Sequence, residues 1–147
     1  MDTGKTYIKM CKKAEEVQGI AEVQNYDSHG NYYADDRTMV SWFYCDCGIF
    51  VDSRHDDYVI WLPRQDQLQE MVIEKGEWIT DEIYRLVCDF STFVEVICVM
   101  GRGDYRLRDF KSYEQLWLAF VMREKYGKVW NGEDWVKSEV LVNQGGN

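Results

Sequence analysis

Proline occurs once in the chain, at position 63, and histidine twice, at positions 29 and 55; apolar runs of membrane length do not occur. Each scarcity removes a class of reading. With so little proline and no low-complexity tract or internal repeat, disorder is expected only at the ends, chiefly in the Gly145-Gly146-Asn147 tail. A transmembrane helix needs roughly 18 to 20 apolar residues in a row, and no stretch approaches that. The N-terminal MDTGKTYIKMCKKAEE has no apolar core of signal-peptide length, so a cytoplasmic protein is expected, with no membrane partner. Lysine and arginine total 17 against 26 acidic residues and are scattered, which leaves no basic stripe for a phosphate backbone; direct nucleic-acid binding is not expected. Several motifs are also missing. There is no G-x-S-x-G elbow, no phosphate-loop lysine at Gly101-Arg102-Gly103-Asp104, and no D-x-D-x-D-G calcium order around Asp35-Asp36 or Asp56-Asp57. No cofactor is expected.

What the chain has in quantity is negative charge and large rings. The net charge is −9, and six Trp, ten Tyr and six Phe point to a core built from aromatic rings as well as aliphatics. The acidity keeps such a domain soluble, and it admits an alternative in which the protein mimics a nucleic-acid backbone and occupies a basic protein. That alternative requires Asp35, Asp36, Asp56 and Asp57 to lie in a row on one surface. A chain of 147 residues matches one domain able to bury roughly 70% of its unfolded surface, so residues 1–140 are expected to form a single domain and 141–147 a flexible tail. Five cysteines, an odd number without an export signal, fit reduced thiols better than a disulfide scaffold.

The spacing of Tyr7 or Ile8, Cys11, Ala14 or Glu15, and Val17 predicts an amphipathic helix over 5–18, with Gly19 as its stop. The stretch from Tyr26 to Ile60 holds seven Asp and two Arg but neither Glu nor Lys, interleaved with aromatic and β-branched residues. It reads as strands at 32–34, 39–45, 49–52 and 58–62, paired antiparallel because the links are too short for helical crossovers. Pro63 is expected at the first position of a following helix that carries Leu68, Met71 and Val72 inward and ends near Gly76. Thr80, Asp81 and Glu82 open another helix whose core stripe reads Ile83, Val87, Phe90, Val94, Ile97, although 93–100 also suits a strand. Ser112 and Gln115 form a capping pair before an unbroken apolar run from Leu116 to Met122, which predicts the most buried helix of the chain. Trp130 to Trp135 reads as a hairpin, either with a two-residue Asn-Gly turn or with a four-residue loop that sets Trp130 across from Trp135. The fold class is α+β, a small antiparallel sheet with about four helices.

Two of these stretches, WLPRQDQLQEMV at 61–72 and SYEQLWLAFVMREKYGKVWNGEDWV at 112–136, together with KKAEEVQ at 12–18, resemble a family of small uncharacterised proteins encoded in phages and prophages of Gram-positive bacteria. The resemblance covers about half the chain and leaves out the Asp-rich middle. It implies an accessory protein in the host cytoplasm, and it brings no catalytic residue with it.

Two clusters compete as the site. Trp61, Arg64, Gln65 and Gln67 offer an apolar anchor beside directional hydrogen-bonding groups, and Trp130 with Trp135 offers an aromatic pair at a hairpin; both suit contact with a protein partner, a second copy included. The alternative is a small metal- or thiol-dependent enzyme using Cys45, Cys47 and His55, since alternate cysteines on a strand share a face. A structural zinc site wants four ligands, and buried apolar thiols account for the two cysteines more simply. The expected function is therefore protein–protein interaction, with no catalytic activity evident.

Overall fold

The computed structural model describes residues 2–20, 31–35, 40–45, 48–53, 59–73, 79–95 and 109–138, with side chains described at 2–20, 60–73, 80–95 and 109–138. The elements give an α+β fold, and the chain divides into two compact units, Met1–Arg64 and Gln65–Asn147.

In the first unit, α1 (Lys5–Lys13) and α2 (Glu15–Gln18) precede β1 (Asn31–Asp35), β2 (Val40–Cys45), β3 (Gly48–Ser53) and β4 (Val59–Leu62). The strands pair antiparallel in the order β1-β2-β3-β4, and each end falls within a residue of the position that the aromatic and β-branched runs predict. The helix expected over 5–18 is interrupted where Ala14 leaves helical backbone, but its stripe survives the break: Tyr7, Met10, Cys11, Ala14 and Val17 are all buried. Helix α1 packs beside β4.

An edge strand such as β4 presents unpaired backbone groups, and this unit covers those near its C-terminal end. The Gln18 side chain donates from Nε2 to the Trp61 carbonyl at 2.9 Å and accepts the Trp61 N–H on Oε1 at 2.8 Å, standing in for a neighbouring strand. Two residues on, Pro63 has no N–H to satisfy, and its carbonyl accepts the Tyr7 hydroxyl at 2.6 Å. Pro63 thus ends the sheet edge and does not begin a helix.

The second unit holds α3 (Gln65–Val72), α4 (Ile79–Thr92), α5 (Tyr113–Tyr126) and a hairpin of β5 (Lys128–Trp130) and β6 (Trp135–Lys137). Ser112 caps α5, its Oγ accepting the Gln115 N–H at 3.1 Å, while Gln115 Oε1 reaches back to the Lys111 N–H at 3.0 Å. Leu116 to Met122 are all buried, as an apolar run without a polar face requires. Gly127 closes the helix at φ 62, a left-handed position that an L side chain resists, and its N–H bonds the Arg123 carbonyl. The hairpin takes the register that sets Trp130 opposite Trp135. Asn131 selects the longer loop, because its Oδ1 accepts the N–H groups of both Glu133 and Asp134, at 2.9 and 2.8 Å.

Residues 93–95 continue beyond α4 as a π-type turn. The Gly76 cap, the question of helix or strand at 96–100, and the 141–147 tail lie outside the described residues. No helix among the described residues is long and apolar enough to cross a membrane.

Candidate functional site

The residues that the sequence singles out are spread over both units. Trp61 and Arg64 belong to the first, and Gln65, Gln67, Trp130 and Trp135 to the second. Trp61 is buried, with its backbone held by Gln18 and its indole N–H without a hydrogen-bond partner among the described residues. Arg64 and Gln67 are half-buried, and Gln65 is exposed at the start of α3. Trp130 and Trp135 meet across the hairpin with ring centroids 5.2 Å apart; Trp135 is buried and Trp130 half-buried. Of the cysteine and histidine cluster, Cys45 ends β2 opposite Gly48, whereas Cys47 and His55 lie outside the described residues. Asp36, Asp56 and Asp57 also lie outside them, and Asp35 ends β1. Among the described residues no three His, Cys, Asp or Glu side chains come together as metal ligands.

The helix expected from Thr80 is α4, but its exposed flank is the feature that the sequence does not single out. At about 100° per residue, Leu86, Phe90, Ile83, Val87 and Tyr84 follow one another around roughly 160° of its circumference, an apolar arc wider than one contact can cover. Phe90 anchors one side. Its ring stacks on Trp117 of α5 at 3.8 Å and 2° between planes, and meets Phe120 edge-on at 5.4 Å. Phe93, fully buried, also meets Phe120 at 5.4 Å. These aromatic pairs set the rotation of α4, so Leu86 and Phe90 turn toward α5 while the rest of the arc turns away. Exposure climbs around the arc, from 48% at Ile83 to 56% at Val87 and 71% at Tyr84. The stripe of Ile83, Val87, Phe90, Val94 and Ile97 is therefore corrected: the inward side is Leu86, Phe90 and Phe93, Ile83 and Val87 are exposed, Val94 is half-buried, and Ile97 lies outside the described residues.

Six large apolar residues are exposed among the described ones, and three of them share these two turns of α4, so this is a patch and not a scatter. One turn after Tyr84, the exposed Cys88 side chain hydrogen-bonds it and adds negative charge when ionised; both effects raise the phenol above its ordinary value.

The opposite side of α4 walls a cleft of about 570 Å³ within the second unit. Its floor is apolar, from Met71, Val72 and Ile73 at the end of α3, Leu86 of α4 and Phe120 of α5; Glu82, Arg85, Asp89, Glu124 and Lys125 rim it. Arg85 pairs with Glu82 at 3.8 Å and Glu124 with Arg123 at 3.2 Å, leaving Asp89 and Lys125 as the unpaired rim charges among the described residues. Helix α4 thus has accessible surface on two sides, an apolar flank and a charged cleft wall. Compared with family models, curated proteins and solved structures, the chain matches none.

Proposed function

We propose that the chain is an accessory protein of a phage or prophage of a Gram-positive bacterium, acting by contact with another protein in the host cytoplasm, with α4 as the docking surface. The resemblance at 61–72 and 112–136 supports the origin. The observation that carries the mode of action is the uncovered flank of Ile83, Val87 and Tyr84, because water-exposed apolar surface gathered on one helix costs solubility unless something covers it. Aromatic and branched anchors at the centre of such a patch are the residue types that dominate binding energies.

The experiment is retrieval from host lysate with the tagged full chain. A partner recovered at near-stoichiometric amount is expected. Recovery of nothing above the background of an unrelated acidic protein contradicts the proposal.

A further inference from the structure

Resting on that reading, the charges around the α4 flank specify the chemistry of the partner. The helix and the turn after it carry Asp81, Glu82, Asp89 and Glu95 against a single cation, Arg85. Arg85 is committed to Glu82. Asp81 and Glu95 are exposed, lie on the Tyr84 side of the helix and have no ion-pair partner among the described residues, so an acidic group stands toward each end of the apolar patch, whereas Asp89 faces the cleft. At about 1.5 Å per residue, Asp81 and Glu95 are roughly 20 Å apart along the axis.

We infer that this face takes a cationic amphipathic helix of a partner protein. Its apolar side covers Ile83, Val87 and Tyr84, and its Lys or Arg side chains, placed about four turns apart, meet Asp81 and Glu95. A helix is the occupant that fits a convex helical stripe, since neighbouring helices interdigitate side chains along their lengths. A second copy of this chain brings the same acidic groups and a net charge of −9 against it, and like-charge juxtaposition opposes that pairing. An anionic membrane or a nucleic acid is repelled for the same reason.

Three designed helical peptides with one leucine face test this, their other positions filled by Lys, Gln or Glu, titrated onto the full chain by fluorescence anisotropy. The Leu/Lys peptide is expected to bind at least about tenfold more tightly than Leu/Gln, with the gap closing in roughly 0.5 M salt. The double variant Asp81→Asn, Glu95→Gln should bring the two within about threefold, and Ile83→Asp with Val87→Asp should abolish binding while Ile20→Asp leaves it unchanged. If Leu/Lys binding ignores the double variant Asp81→Asn, Glu95→Gln, general acidity accounts for it and the inference is overturned. If Leu/Gln or Leu/Glu binds as tightly through Ile83 and Val87, the cationic partner is overturned while α4 stands as a docking face. Absence of any binding that depends on Ile83 and Val87 also overturns the inference, and the lysate retrieval still decides the proposed function by itself.

Discussion

Cys11 shows how much one buried atom can report. It lies wholly buried on α1, and burial pushes its thiol far above the ordinary value of 9.0, against a smaller downward pull from its hydrogen bond with Tyr7. In the unfolded chain the thiol ionises near that ordinary value, while in the fold it keeps its proton. Above about pH 9 the unfolded state therefore binds fewer protons than the folded one, and stability falls as pH rises. The contribution is complete below that pH and is lost above it at about 1.4 kcal/mol per pH unit. Denaturant unfolding of wild type and Cys11→Ala across roughly pH 8 to 11 checks the sign. Cys11→Ala is less stable at the lower end because it leaves a cavity, and its deficit should shrink with that slope above about pH 9. A constant deficit would mean that the thiol ionises equally well folded.

Among the elements, β4 depends on a side chain from another element to finish its edge. Gln18→Ala removes the group that bonds both the Trp61 N–H and carbonyl, and should cost about 1 to 3 kcal/mol in denaturant unfolding. It should also raise the tendency to associate through the opened edge, read by size-exclusion chromatography. The strands and α5 were legible in the sequence because their signals are unambiguous: Asp- and Gly-bearing breaks bound the runs from Asn31 to Leu62, and seven consecutive apolar residues after Ser112 leave α5 only one environment. The face of α4 was not legible. Ile83, Val87, Phe90 and Leu86, Phe90, Phe93 share Phe90 and have equally good helical spacing, so periodicity alone cannot choose between them. The choice falls to Trp117, 27 residues beyond Phe90, whose ring stacks on Phe90 and fixes the rotation. Pro63 misleads for a similar reason, since a missing N–H suits a helix start and a strand edge equally.

For the whole molecule, the contact pattern divides the chain between Arg64 and Gln65, inside a stretch that reads as one continuous landmark in the sequence. That division separates Trp61 and Arg64 from Gln65 and Gln67, and it puts α4, the cleft and the aromatic anchors together in the second unit. On the function proposed above, the flank of α4 contributes little to the fold and serves a partner. One double variant, Ile83→Asp with Val87→Asp, tests it directly when its unfolding free energy and its recovery of the partner are measured on the same preparation. Stability within about 1 kcal/mol of wild type, as for two surface substitutions, and loss of the partner are expected. A fall of several kcal/mol would show that Ile83 and Val87 serve the core, and undiminished partner recovery from a stable variant would contradict the claim outright.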